Sequence, residues 1–146
     1  MSDGFEEMRV MWKTVRTAKY EARHKRFAKK KNKQLVQTLL NLELFEMHVQ
    51  AGGRIKPFVF SFLHAEPMDV VAIDQSGGGK LPETRLYVWI DREAATVYLL
   101  TLGDKKTQHE DIQFCKACVE HIKADPGFGQ AKEEDHGQEI SSDDGG

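Results

Sequence analysis

One segment of the chain is predicted to place a cation and two aromatic rings on a single surface. Residues 85–90 alternate as a β-strand does, which sends three aliphatic side chains to one face and Arg85, Tyr87 and Trp89 to the other. This surface suits RNA, because aromatic rings stack on unpaired bases and a guanidinium group binds phosphate. A second interpretation, in which Tyr87 and Trp89 pack beneath the last helix, is equally consistent with the pattern.

A second group of reactive side chains follows the next apolar strand. Lys105 and Lys106 come directly after it, and His109 lies three residues further on. Metal-independent cleavage of RNA needs a base for the ribose 2′-hydroxyl, positive charge at the phosphate and a proton for the leaving 5′-oxygen. Lysine, arginine and histidine supply these functions, and an ordinary histidine pKa of about 6.5 suits proton transfer near neutral pH. The alternatives are a solvated turn for the lysines and a helix-cap or surface role for His109.

The charge of the chain is strongly asymmetric, although its formal net charge is only −2. From Arg9 to Lys33 there are eleven Lys or Arg residues against one acid, whereas residues 125–146 carry seven acids against one lysine. A basic segment of this kind favours polyanionic partners, although a solvated helix end also accounts for the lysine run. The predicted RNA-binding residues of the segment are Lys25, Arg26, Lys29, Lys30, Lys31 and Lys33.

A glycine-rich loop interrupts the second half of the chain at Gly77-Gly78-Gly79-Lys80. It lacks the Gly-x-x-x-x-Gly-Lys-Ser/Thr spacing of a phosphate-binding loop. We therefore interpret it as a flexible loop and expect it to bring Lys80 near the substrate.

Hydrophobic periodicity supplies the elements that position these groups. It predicts strands over residues 8–15, 57–63, 70–73, 85–90 and 96–102, and helices over residues 18–31, 33–50 and 109–123. Asn32 is expected to separate the first two helices, and residues 91–94 have the length of a hairpin connection. Residues 1–124 are thus predicted to form one α+β domain, and residues 125–146 an acidic, disordered tail.

Metal, disulfide and membrane chemistry find little support in the sequence. Cys115 and Cys118 lack further zinc ligands at suitable spacing, so we expect reduced, partly buried thiols. His24, His48 and His64 have no partner at ligand spacing, so neither a metal site nor a cofactor is predicted. With no run of about 20 apolar residues and no signal-peptide pattern, we expect a cytoplasmic protein without a membrane partner.

The C-terminal half of the domain carries a recognisable motif. It reads Arg85-Leu-Tyr-Val-Trp-Ile-Asp91, then Thr96-Val-Tyr-Leu-Leu-Thr-Leu-Gly103, then Asp104-Lys-Lys-Thr-Gln-His-Glu-Asp-Ile112. With the order strand, helix, helix, three or four strands, helix, this resembles the RelE/ParE superfamily of toxins from type II toxin–antitoxin pairs. The element order covers residues 8–123 and the motif covers residues 85–115. The tyrosine that several ribosome-dependent members carry shortly after the final strand is absent here.

The resemblance implies a RelE-like fold, with two N-terminal helices and a C-terminal helix around a mainly antiparallel sheet of four or five strands. It implies a toxin that acts as a metal-independent endoribonuclease, an mRNA interferase, cleaving mRNA on the ribosome. Arg85 with Lys105 or Lys106 would stabilise the phosphate, and His109 would be the acid or base. The implied protein partner is a cognate antitoxin that covers the basic surface. A non-catalytic binding protein on the same fold, either a gyrase-directed toxin of the ParE kind or an inactive homologue, stays open.

Overall fold

The computed structural model describes residues 11–75 and 83–125, which fold as α+β around one mixed sheet. A short 3₁₀ turn, Pro67–Asp69, lies between the second and third strands. The strands are β1 (Lys13–Arg16), β2 (Leu63–Ala65), β3 (Val71–Asp74), β4 (Thr84–Asp91) and β5 (Thr96–Asp104). The helices are α1 (Ala18–Lys30), α2 (Asn32–Gln50) and α3 (Gln108–Ala124). The described part of the chain thus has the predicted class, with five strands and three helices.

The five strands lie in the order β1-β5-β4-β3-β2. The neighbours β2–β3, β3–β4 and β4–β5 are antiparallel, whereas β1 pairs in parallel with β5. A parallel neighbour needs a crossover, and the helical hairpin α1–α2 supplies part of that connection on one face of the sheet. The first and last of the described strands are therefore neighbours, and the sheet is mixed.

Each face of the sheet is covered by helix. Leu86 and Val88 of β4 pack with buried residues of α1 and α2, whereas Tyr87 packs with buried residues of α3. A β-bulge interrupts the pairing of β4 with β5. Tyr87 pairs with Thr101 and Val88 pairs with Leu99, so Leu100 is the extra residue. Leu99 still packs on the side of α1 and α2, and Leu100 on the side of α3. The predicted alternation of residues 85–90 is confirmed, and it separates the sheet into a hairpin face and an α3 face.

Thr17 and Lys31 bound the two ends of α1, and the turn between α1 and α2 consists of the single residue Lys31. Thr17 caps the start of α1 by accepting a hydrogen bond from the backbone N–H of Tyr20 at 2.9 Å. Lys31 leaves helical geometry with φ −138° and ψ 48°, and Asn32 is already the first residue of α2. The prediction that Asn32 breaks the helix was therefore wrong by one residue. The tight turn holds the lysine-rich end of α1 beside the start of α2.

The predicted strand over residues 57–63 was wrong for all but its last residue. Residues 57–62 form bends and turns, and β2 begins at Leu63. The alternating phenylalanines instead close over the core, with Phe62 buried and its ring stacked on Phe60 at 4.9 Å between centroids. Apolar alternation indicates that one face is buried, and here a loop buries it without strand pairing.

Several other predictions concern the ends and the thiols. Residues 8–10 of the first predicted strand, Lys80 with its loop, and the tail from residue 126 lie outside the described residues. The last helix ends at Ala124, next to the predicted domain boundary. Cys115 and Cys118 are both buried on α3, and no disulfide joins them in the described part of the chain. Within the described ranges, no helix is long and apolar enough to cross a membrane.

Candidate nucleic-acid interface

The turn that joins β5 to α3 is held by its own side chains. Asp104 Oδ1 accepts the backbone N–H groups of Lys106 at 3.0 Å and Thr107 at 3.2 Å. In return, Thr107 Oγ1 accepts the backbone N–H of Asp104 at 3.2 Å. These bonds fix the backbone of the turn, and Lys105 and Lys106 are exposed on it.

A buried ion pair supports this turn from beneath. Asp111 of α3 is fully buried and accepts hydrogen bonds from Thr107 Oγ1 at 2.7 Å and from Arg23 of α1 at 3.2 Å. The same Arg23 nitrogen donates to the carbonyl of Leu102 at 2.7 Å. Burial raises the pKa of Asp111, although the hydrogen bond from Thr107 and the charge of Arg23 oppose the shift. The network fastens α1, β5 and α3 together at the base of the turn.

An open cleft of about 350 Å³ lies between the end of α1 and this turn. Its lining residues are Arg26, Phe27, Lys30, Lys31, Asp104 and Lys106, and we call it the basic cleft. Lys31 Nζ binds Asp104 Oδ2 at 2.7 Å across the cleft and lies 5.3 Å from the centroid of the Phe27 ring. Four cations therefore surround a single carboxylate.

The carboxylate of the basic cleft is held ionised. Burial alone would raise the pKa of Asp104. The hydrogen bond and charge of Lys31, with the backbone N–H groups of Thr107 and Lys106, outweigh burial and bring the pKa of Asp104 below its ordinary value. With Asp104 ionised, the four cations still leave a net positive charge of about three, which attracts phosphate groups.

The structure brings together residues that the sequence places about 75 positions apart. Arg26, Lys30 and Lys31 of the helical hairpin meet Lys106 of the β5–α3 turn in the basic cleft. Lys105 is exposed on the same turn, and His109 is exposed at the second position of α3. The remaining predicted cations of the hairpin, Lys25, Lys29 and Lys33, are exposed on the helices but do not line the cleft.

Arg85 lies on the other side of the sheet. It pairs in register with Gly103 and shares the α3 face with Tyr87, whereas Asp104 faces the helical hairpin. Its guanidinium is bound by Glu66 at 3.1 Å and by Glu83 at 3.2 Å, and the side chain is 19% exposed. Burial raises the pKa of Glu66, and the charge of Arg85 opposes this shift. The predicted catalytic residues therefore do not lie together. Arg85 lies away from the basic cleft, and Glu66 and Glu83 neutralise its charge.

The two aromatic residues of β4 have different environments. Tyr87 has no exposed surface and lies in the core beneath α3, so the prediction that its ring stacks on RNA was wrong. Its hydroxyl is buried without a hydrogen-bond partner among the described residues. Trp89 is only partly buried; its ring lies 5.8 Å from Tyr98, and Lys123 Nζ lies 5.9 Å from its centroid. Tyr87 is therefore structural, and Trp89 packs at the margin of the core.

The sequence interpretation missed a polar cluster at the other edge of the sheet. His64 Nε2 lies 2.5 Å from Asp74 Oδ2, so the expectation that His64 has no partner at ligand spacing was wrong. Glu83 completes a group in which one nitrogen or oxygen atom of each residue lies within 4.8 Å of the corresponding atoms of the other two. The signal was the β2–β3 pairing, because His64 pairs with Ala72 and Asp74 lies two residues further on the same face.

Comparisons with known proteins found no match. No family model matches the chain, and no curated protein and no solved structure matches it.

Proposed function

We propose that this protein binds RNA through the phosphates of its backbone, which enter the basic cleft. The observation that carries the proposal is the convergence of Arg26, Lys30 and Lys31 with Lys106 around one carboxylate. Two separate segments of the chain contribute these cations, and an open groove lined by cations is the usual arrangement for tracking a nucleic-acid backbone. The exposed cations of α1 extend the positive surface beyond the cleft.

We further propose that the protein is a toxin of the RelE/ParE kind that cleaves mRNA. Lys105 and Lys106 would stabilise charge on the phosphate while the ribose 2′-oxygen attacks phosphorus and the 5′-oxygen leaves. His109, exposed beside them on α3, would transfer the proton. The exposure of all three side chains on one short segment supports this assignment. The protein partner in this proposal is an antitoxin with acidic segments that cover the basic cleft.

The second candidate function is binding without cleavage, by a gyrase-directed toxin or an inactive homologue. The environment of Arg85 favours it, because Glu66 and Glu83 already bind the guanidinium that the motif assigns to phosphate. A binding protein needs only the positive surface and no proton-transfer group. The two candidates therefore share the basic cleft and differ in what His109 and Arg85 do.

RNA binding is tested by fluorescence anisotropy with a labelled single-stranded RNA over a series of salt concentrations. Each phosphate contact contributes about 0.7 to the slope of log affinity against log salt for single strands. Arg26→Ala/Lys30→Ala should therefore lower the slope by about 1.4 and weaken binding throughout the series. Unchanged slope and affinity in this variant would contradict the proposal.

A matched control comes from the opposite end of α2. Lys56 is exposed and lies beyond the C-terminal end of this helix, whereas the basic cleft lies near its N-terminal end. The 19 residues of α2 separate the two ends by about 28 Å at 1.5 Å per residue. Lys56→Ala should therefore change RNA affinity by much less than half of the change that Arg26→Ala/Lys30→Ala causes.

Cleavage is tested by induced expression of the wild type and of Lys105→Ala/Lys106→Ala, with growth curves and primer extension on cellular mRNA. Growth arrest with new mRNA ends in the wild type alone would support the nuclease. Arrest without new ends would favour the non-cleaving binder. An absence of arrest would contradict the toxin assignment and leave RNA binding to the anisotropy test.

A further inference from the structure

Three strands bring an imidazole and two carboxylates to one place at the edge of the sheet away from β1. His64 lies on β2, Asp74 ends β3, and Glu83 immediately precedes β4. His64 and Asp74 are diagonal neighbours on one face of the β2–β3 pair, and Asp74 pairs with Arg85 of β4. Strand pairing therefore fixes the relative positions of these backbones, so that the cluster is part of the sheet.

We propose that His64, Asp74 and Glu83 bind one divalent metal ion of the Zn²⁺, Mn²⁺ and Fe²⁺ class. Zn²⁺ is used below as the probe ion. One ligand atom from each residue lies within 4.8 Å of the other two. Zn²⁺ binds imidazole nitrogen and carboxylate oxygen at about 2.0–2.2 Å in tetrahedral geometry, so two atoms that share one ion lie about 3.4 Å apart. Binding therefore requires the side chains to rotate, so that their ligand atoms move by about 1 Å relative to one another. The ion replaces the His64–Asp74 hydrogen bond of 2.5 Å as the link between the two side chains.

The charges and exposures of the three residues fit such an ion. Two carboxylates neutralise a divalent cation, and a neutral imidazole provides the third ligand. The Asp74 side chain is 12% exposed and is the anchored ligand, whereas His64 at 34% and Glu83 at 40% leave an open side for water. Three protein ligands and an open position are typical of zinc sites that bind water or substrate.

Arg85 orients one of the proposed ligands. Its Nε donates to Glu83 Oε2 at 3.2 Å while its Nη1 is bound to Glu66. A carboxylate has two oxygens, so Glu83 keeps the guanidinium on one oxygen and offers the other to the ion. Hydrogen-bonded partners of this kind fix ligand orientation in metal sites. Arg85 would therefore orient Glu83, a role that does not involve phosphate.

The ligand set also defines the class of ion. Mg²⁺ and Ca²⁺ prefer oxygen ligands alone, and copper(I) prefers sulfur, whereas mixed imidazole and carboxylate ligands suit Zn²⁺, Mn²⁺ and Fe²⁺. The site does not include any residue of the basic cleft. The proposal therefore does not depend on RNA binding or cleavage.

The test uses the full chain, stripped with EDTA and dialysed against micromolar Zn²⁺ in the presence of excess Mg²⁺, with metal content measured by mass spectrometry. The wild type should retain one Zn²⁺ per chain. His64→Ala and Glu83→Gln should each lose affinity for Zn²⁺ by about a hundred-fold or more, since even the loss of a residue that hydrogen-bonds to a metal ligand costs about 10–100-fold. Glu83 is a partly exposed residue outside the core, so Glu83→Gln should fold even if another ligand variant does not.

His121→Ala is the control for loss of an imidazole, because His121 is exposed on α3 and is not one of the proposed ligands. This variant should retain full Zn²⁺ binding. Cys115→Ser/Cys118→Ser tests the two buried thiols and should also retain the ion. Less than one Zn²⁺ per wild-type chain would overturn the proposal. Undiminished Zn²⁺ affinity in both His64→Ala and Glu83→Gln would overturn it equally.

Discussion

Gly103, the residue before the lysine-bearing turn, has no room for a side chain. A Cβ atom built on it would lie 1.8 Å from Asp111 Oδ2 and 2.6 Å from Thr107 Oγ1. Asp111 cannot move aside easily, because it is fully buried and holds both Thr107 and Arg23. Gly103→Ala therefore forces either a shift of α3 or the loss of the Asp111 hydrogen bonds.

The loss in the free energy of unfolding that Gly103→Ala causes can be estimated from these two consequences. Overpacking a close contact costs about 1–3 kcal/mol, and a buried polar group that loses its partner costs about 1–3 kcal/mol. We therefore expect Gly103→Ala to lower the free energy of unfolding by about 3 kcal/mol, within a total of about 5–15 kcal/mol for a domain. With a urea m-value of about 2 kcal/mol per molar, the unfolding midpoint should fall by about 1.5 M.

Urea unfolding followed by tryptophan fluorescence measures this shift, with Gly52→Ala as the comparison. Gly52 has φ +90° and no atom within 4 Å of a Cβ, so its substitution costs backbone strain of about 1–2 kcal/mol without a clash. In an Asp111→Ala background, the effect of Gly103→Ala should shrink by more than 1 kcal/mol, since the clashing oxygen is gone. A Gly103→Ala protein as stable as the wild type would refute the reasoning, because glycine-to-alanine changes without a clash stabilise a strand.

Three further expectations concern single side chains. Tyr87→Phe removes a buried hydroxyl that has no partner among the described residues, and should leave stability in urea unchanged or raise it by up to about 1 kcal/mol. Asp104 has a lowered pKa, so its contribution to stability is present above the ordinary pKa of about 3.9 and is lost as pH falls through the folded value. Lys31→Met should therefore lower the urea midpoint at pH 7, and the difference from the wild type should shrink as pH falls below about 3.9. Burial raises the pKa of the Cys115 thiol, so iodoacetamide should label it slowly at pH 8 unless urea is added, and rapid labelling of the folded chain would contradict the buried position.

The regular elements were predictable because their periodicity reports burial directly. The helices and the β4–β5 hairpin start and end within one or two residues of their predicted bounds. The region around Phe58, Phe60 and Phe62 misled prediction, because period-two alternation describes which side chains are buried and not whether the backbone pairs. Strand assignment depends on a hydrogen-bonded neighbour, which a single segment of sequence does not contain.

The candidate site was predictable in its charges and not in its geometry. The basic run identified Arg26 and Lys30 as phosphate-binding candidates, and the motif identified Lys106, but only the packing of α1 against β5 joins them. The ion pair of Arg85 with Glu66 spans 19 residues and carries no local signal. Tyr87 had two consistent interpretations, and the docking of α3 on that face decided between them.

The pairing of β1 with β5 has a consequence for biosynthesis. Thr17, which follows β1, donates its hydroxyl hydrogen to the Leu100 carbonyl 83 residues later, and Lys13 lies opposite Thr96. Contacts between such distant segments form late and slow the folding of a small domain. β1 must therefore wait for its partner until β5 has been synthesised. The basic cleft cannot be completed any earlier, because Lys106 follows β5, and the nascent chain lacks the cleft until the segment through Lys106 has been synthesised.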